Sequence, residues 1–175
     1  MKSSKKITLA AILSAMSIIL LLIGSLIETM TFSAAAIASL CVIVAVCELG
    51  YYYAASVWMI ASTLGILLLP IKDPVLYFAC FFGYYPIVKS IFEKIKSKIS
   101  YLLKAIVFTV SYVLVALIAL LLLVPNAEFN LIIVVSIAYP ILLVIFFIFD
   151  FALTKLIRYY YFSLRKRLGI DNFLR

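Results

Sequence analysis

Residues 5–27 read KKITLAAILSAMSIILLLIGSLI, in which two lysines precede 21 residues without a charge. A helix that crosses the roughly 30 Å hydrocarbon core of a bilayer needs about 20 apolar residues. The stretch therefore predicts a membrane-spanning helix. It is longer than the apolar region of a secretory signal peptide, which is roughly 7–15 residues, so we interpret it as a retained helix.

The same pattern recurs along the rest of the chain, where short polar breaks separate five further apolar segments. The fold class predicted is all-α: an integral membrane protein with six transmembrane helices in one bundle, and residues 1–175 as a single domain. The six segments cover residues 7–27, 32–46, 53–69, 75–89, 101–124 and 131–149.

Composition supports the membrane class. Hydrophobic residues make up 68% of the chain and charged residues 13%, and the mean hydropathy is +1.30. A soluble domain has about 45–50% apolar and about 25% charged residues. The net charge of +8 is typical of some nucleic-acid-binding proteins. Here the basic residues flank apolar segments, so we expect contact with anionic lipid headgroups and no nucleic-acid partner.

The positive charges predict the orientation. Of the 15 Lys and Arg residues, only Lys72 lies in a break assigned to the outer side. The others lie near the N-terminus, in residues 87–104 and in residues 155–175. Basic residues remain cytoplasmic because they resist translocation. Both termini are therefore predicted in the cytoplasm, in a multi-pass protein of the plasma membrane.

The basic break at residues 87–104 has apolar residues at helical spacing with lysines between them. This pattern favours an amphipathic helix at the interface, or helices four and five protruding from the bilayer. One interpretation of its lysines is a topology anchor in which long side chains reach the headgroups. The other is a docking surface for a cytoplasmic partner.

The residues that carry catalytic chemistry are sparse. The chain has no His, and its three cysteines, Cys41, Cys47 and Cys80, all lie within apolar segments, so we interpret them as small hydrophobes. No two of the seven acidic residues are three or four positions apart. We expect no enzyme, no metal site and no cofactor, because intramembrane catalysis needs paired carboxylates, an activated nucleophile or a metal.

Two charged residues lie inside apolar stretches. Glu48 ends the second segment and Lys89 lies about 20 Å, at ~1.5 Å per residue, from the outer end of the fourth. Charges in hydrocarbon usually have partners, so Glu48 and Lys89 form a candidate intramembrane ion pair. The alternative is that both reach the headgroups independently.

Small residues recur at four-residue spacing, which lets membrane helices approach closely. Ala11 and Ala15 show this spacing in the first segment, and Ala34/Ala38, Ala35/Ser39 and Ala61/Gly65 show it elsewhere. For any one of these pairs, packing inside the bundle is the default expectation.

Aromatic and polar residues cluster toward the outer half. Tyr77, Phe81 and Tyr84 have the i, i+4, i+7 spacing of one helix face, and Asn126 and Tyr139 are predicted near the same depth. Aromatic walls with a few polar groups suit a small-molecule pocket. An interfacial aromatic belt explains the same residues. Pro86 and Pro140 are expected to free backbone carbonyls inside helices four and six.

Residues 5–15, KKITLAAILSA, resemble the start of the substrate-binding S components of energy-coupling factor (ECF) transporters. Those proteins have this length, six helices with both termini inside, and an Ala-xxx-Ala motif on helix one. The resemblance implies that Ala11 and Ala15 contact a transmembrane T subunit and that two cytoplasmic ATPases energise uptake. The break at residues 28–31 is shorter than the first outer loop of many S components.

The resemblance also implies where the solute binds, because the family's ligand lies in the outer half among helices four to six. That position corresponds to Tyr77, Phe81, Tyr84, Asn126 and Tyr139. The function predicted is therefore capture of a small vitamin or cofactor-precursor solute for an ECF-type importer. The alternative is a non-transporting membrane scaffold of cell-envelope assembly.

Overall fold

A computed structural model describes residues 3–93, 97–122, 129–160 and 162. Every regular element in these residues is helical. A 3-10 turn (Glu28–Met30) precedes the second helix, and a π-helical turn (Phe78–Phe82) joins the fourth to the fifth. The helices are α1 (Ser3–Leu26), α2 (Thr31–Glu48), α3 (Tyr51–Leu68), α4 (Asp73–Tyr77), α5 (Tyr85–Phe92), α6 (Ser97–Leu122) and α7 (Phe129–Tyr159).

Among the described residues, six helical stretches are long and apolar enough to cross a membrane, with α4, the π turn and α5 counting as one. The prediction of an all-helical chain with six such stretches is confirmed. The helices extend beyond the predicted segments: α7 has 31 residues and continues past Phe149 because no proline or glycine interrupts it there. The two ends of the basic break belong to α5 and α6, and the choice between an interfacial helix and protruding helices stays a prediction.

The helices form two compact units, Lys2–Lys104 and Ala105–Arg175. In the first unit, α1 packs against α2 and α3, and α2 also packs against α4, the π turn and α5. The second unit contains α7 and most of α6. The arrangement of all six spans in one bundle stays a prediction.

Small residues bring α1 and α2 together. Ala35 and Ala38 of α2 are completely buried. Gly24 of α1 lies so close to Ala34 that a side chain at position 24 would overlap it. The Ser17 hydroxyl of α1 donates to the Leu13 carbonyl oxygen of its own helix at 2.9 Å and lies 3.4 Å from the Ala38 carbonyl oxygen across the seam. The expectation of internal packing at Ala34/Ala38 is confirmed, because small side chains let two backbones approach.

The connection between α2 and α3 consists of Leu49 and Gly50 alone. Gly50 has a φ of 89°, a left-handed conformation that residues with side chains rarely adopt. Its N–H donates to the carbonyl oxygen of Ala45 at 3.1 Å. A glycine at this position thus permits the tight turn between two consecutive spans.

Two side chains hold the connection between α3 and α4: Ser25 of α1 and Lys72 of the connection itself. The Ser25 hydroxyl accepts a hydrogen bond from the Ile71 N–H at 3.0 Å and donates to the Ile71 carbonyl at 3.1 Å. The Lys72 ammonium donates to the carbonyl oxygens of Ile66 and Leu69 at 2.6 and 2.5 Å. Lys72 thereby caps the C-terminal end of α3, where a cation is favourable. This structural role accounts for an isolated lysine in that break.

Candidate functional site

Tyr77, at the end of α4, is half-buried. Its ring stacks on Phe32 of α2, with centroids 4.1 Å apart and planes 15° apart. Such a pair contributes about 0.5–1.5 kcal/mol beyond the area it buries. Tyr77 therefore covers the seam between α4 and α2.

Phe81 lies inside the π turn and is also half-buried. Its centroid lies 5.1 Å from that of Phe82 and 5.2 Å from that of Tyr85. Tyr85 is completely buried. The Phe81 ring is thus the partly accessible edge of an aromatic cluster that continues into the interior.

Tyr84 meets a different helix. Its ring lies edge-on to Trp58 of α3, with centroids 5.9 Å apart. The Trp58 indole N–H donates to the carbonyl oxygen of Ala79 in the π turn, at 3.2 Å. Trp58 is half-buried, and through this hydrogen bond it ties α3 to the π turn.

The π turn changes which residues share a face. The Gly83 N–H donates to the carbonyl oxygen of Phe78, five residues earlier, at 2.7 Å. Pro86 follows in the first turn of α5, and in a regular α-helix its ring would collide with the Phe82 carbonyl. A wider turn before the proline relieves that collision and accounts for the π geometry.

The single face predicted for Tyr77, Phe81 and Tyr84 assumed regular α-helical spacing, which the π turn interrupts. Tyr77 stacks on a ring of α2, whereas Tyr84 meets a ring of α3. Their role in binding a solute stays a prediction.

In the second unit, Tyr139 belongs to an aromatic cluster between α6 and α7. Its hydroxyl oxygen lies 2.9 Å from Thr109 Oγ1, and its ring lies edge-on to Tyr112 with centroids 5.4 Å apart. Beside it, the buried rings of Phe108 and Phe146 stack with centroids 4.8 Å apart. Tyr139 is half-buried. The remaining predicted site residue, Asn126, lies outside the described residues.

Ala11 and Ala15 lie on the exposed side of α1. A neighbouring face of α1 carries Ala10, Ser14 and Ser17, which are buried within the first unit. The two small-residue rows on α1 therefore have different surroundings. The contact of Ala11 and Ala15 with a partner stays a prediction.

Lys89 of α5 is completely buried. Its ammonium nitrogen lies 3.4 Å from Glu93 Oε1, one helical turn further along. The buried ammonium of Lys104, in α6, lies 3.9 Å from the same oxygen. Buried charges need such partners. The pairing of Lys89 with Glu48 stays a prediction, and Glu48 itself is half-buried at the end of α2.

The three cysteines are free thiols: Cys41 is buried, and Cys47 and Cys80 are half-buried. The interpretation as a small buried hydrophobe fits Cys41 best. Within the part of the chain that the structure describes, no three His, Cys, Asp or Glu side chains are grouped so as to hold a metal ion.

Three residues with specific contacts were not singled out from the sequence: Trp58, Glu93 and Thr109. Each is a polar group inside or at the edge of an apolar stretch, and such groups need a hydrogen-bonding partner. Trp58 is also the only tryptophan of the chain. A polar group within an apolar stretch is therefore the sequence signal for these three residues, although it does not identify their partners.

No family model, characterised protein or solved structure shows significant similarity to this chain. Its function is therefore argued from the residues and their geometry.

Proposed function

We propose that the chain is a multi-pass plasma-membrane protein whose six spans form one bundle, with both termini in the cytoplasm. The six apolar helices and the distribution of Lys and Arg support this orientation. A cysteine in place of Lys72, in a background lacking the three native cysteines, should react with an impermeant thiol reagent added outside intact cells. A cysteine in place of Lys96 should not, and the reverse pattern would invert the topology.

Within that topology, the chain acts as the solute-binding S component of an ECF-type importer. The observation that carries this proposal is the pair Ala11 and Ala15. They lie in the stretch that resembles S components and on the exposed side of a helix whose other side is buried. An exposed row of small residues leaves room for a close helix contact with a T subunit.

The solute site is assigned to Tyr77, Phe81, Tyr84, Asn126 and Tyr139, which supply ring surface, hydroxyl groups and an amide. None of these side chains is charged at neutral pH. A site of this composition suits a small, uncharged, ring-containing solute such as a vitamin or a cofactor precursor. Two cytoplasmic ATPases, acting through the T subunit, energise its uptake.

Retention of a solute by the purified chain tests the proposal. Native mass spectrometry of the full chain, released gently from membranes, should show an added mass of a few hundred daltons. Loss of one aromatic contact costs about 1.4 kcal/mol or more when burial is included, so Phe81→Ala should retain the solute about tenfold less well.

The matched control is Ile91→Ala, on the exposed side of α5 near its inner end, which should retain the solute like the unmodified chain. A chain that carries only lipid in every preparation would contradict solute binding and favour the scaffold alternative.

A further inference from the structure

The hydrogen bond between Thr109 and Tyr139 has a defined direction. A threonine hydroxyl has one hydrogen to donate. Thr109 Oγ1 donates it to the carbonyl oxygen of Ala105, one turn earlier on α6, at 2.9 Å, as hydroxyl side chains commonly do within helices. The same oxygen lies 2.9 Å from the Tyr139 hydroxyl. Both contacts of Thr109 are hydrogen bonds at the same time only if Tyr139 is the donor in the second.

The Tyr139 ring is also held in place from two sides. Tyr112 meets it edge-on, with centroids 5.4 Å apart and planes 63° apart. Phe108, which is buried and stacks on Phe146, lies 6.2 Å from it. With its ring fixed and its only hydroxyl hydrogen used, Tyr139 has only oxygen lone pairs left to offer.

We propose that Thr109 is a positioning residue that fixes the Tyr139 hydroxyl as a hydrogen-bond acceptor, so that this part of the site selects a solute group carrying an N–H or O–H. The inference rests on the proposed role of Tyr139 in solute binding. A carbonyl or carboxylate oxygen of a solute would meet lone pairs at this position and would be disfavoured. A hydroxyl, amine or amide N–H would find an acceptor.

The direction of the hydrogen bond can be measured without a solute. Tyrosine labelled with ¹³C at Cζ, in the full chain in lipid bilayers, reports the hydrogen bonding of each phenol, and Tyr139→Phe identifies its signal. Thr109→Val removes the acceptor and should move the Tyr139 signal, and Thr109→Ser should restore it. The matched control is Thr154→Val, since Thr154 makes the same type of bond to its own helix, to the Asp150 carbonyl at 3.0 Å. It should leave the Tyr139 signal in place.

Selectivity is then tested with two small probes that differ in donor capacity. Acetamide has N–H donors, whereas N,N-dimethylacetamide has only an acceptor oxygen. One neutral hydrogen bond corresponds to about a two- to tenfold difference in affinity, so acetamide should shift the Tyr139 signal at a correspondingly lower concentration.

An equal response to both probes, no response to either, or an unchanged signal in Thr109→Val would overturn the inference. No T subunit or ATPase is present in these measurements. A failure here would therefore leave the importer proposal standing, and loss of the importer proposal would leave the assigned hydrogen-bond direction intact.

Discussion

The two compact units hold their helices together by opposite means. In the first, α1 and α2 approach through Ala35, Ala38 and Gly24, so the backbones themselves are close. In the second, α6 and α7 meet through large rings, Phe108 stacked on Phe146, with a Thr–Tyr hydrogen bond beside them. Lipid removes the hydrophobic driving force between helices, so packing and hydrogen bonds must supply the association. The comparison shows both solutions in one chain of 175 residues.

The difference has a consequence for mutation. Where small residues make the contact, a larger side chain should destabilise the fold because it does not fit. A smaller side chain should have little effect, because few atoms are lost. Where rings make the contact, a smaller side chain should destabilise the fold because it leaves a cavity. The following substitutions test this contrast, and their expected effects decrease from one to the next.

Removing a ring from the second unit should have the largest effect. Phe146 is buried and stacks on Phe108. Phe→Ala changes cost about 3–5 kcal/mol in protein cores, and lipid or neighbouring chain recovers part of this. We therefore expect Phe146→Ala to lower the free energy of unfolding by at least about 2 kcal/mol, measured by denaturant titration in detergent micelles.

The control for this substitution is Ile145→Ala, which shortens the adjacent exposed side chain and should cost much less. Equal losses from Phe146→Ala and Ile145→Ala would mean that ring packing does not hold α6 and α7 together.

Adding atoms to the first unit should have an intermediate effect. Ala38 is completely buried, and its carbonyl oxygen lies 3.4 Å from the Ser17 hydroxyl of α1. Overpacking costs about 1–3 kcal/mol, so Ala38→Leu should lower the free energy of unfolding by that amount. The same substitution on the exposed side of α1, Ala11→Leu, should change it little. A larger loss from Ala11→Leu than from Ala38→Leu would reverse the assignment of the two rows.

Substitutions at Ala11 and Ala15, the exposed small residues of α1, should have the smallest effect on stability. They are also the most informative about function. Ala11→Trp should change the free energy of unfolding by no more than about 0.5 kcal/mol, as surface substitutions usually do. It should nevertheless prevent co-purification of a T subunit, because bulk blocks close helix contact. Ile23→Trp, at an exposed position near the C-terminal end of the same helix, should leave co-purification intact. A T subunit bound equally by both variants would remove Ala11 from the contact.

Sequence reasoning succeeded where the signal is a property of one segment. Hydropathy located the six helices of the described residues that are long and apolar enough to cross a membrane, because a helix that satisfies its own backbone in hydrocarbon needs a long apolar run. The packing of Ala34 and Ala38 followed from their spacing alone. Helix ends were less accurate, as α7 shows, because a helix can continue past its apolar segment until something interrupts it.

The candidate site was less predictable because it depends on partners distant in sequence. The spacing of Tyr77 and Tyr84 predicted one face, and the π turn before Pro86 placed them against different helices. Thr109 bonds to Tyr139, 30 residues away, and no local pattern specifies that pair. The general rule that buried polar groups are paired implies that Thr109 needs a partner, but it does not name that partner.

The composition of the complex tests the importer proposal most directly. Native mass spectrometry of the full chain, purified gently from the membranes of its own host, should show one assembly. That assembly should contain this chain, a transmembrane T subunit, two ATPase subunits and a bound small solute. Detection of the chain alone, or with partners that are not ATPases and without a solute, would contradict the proposal.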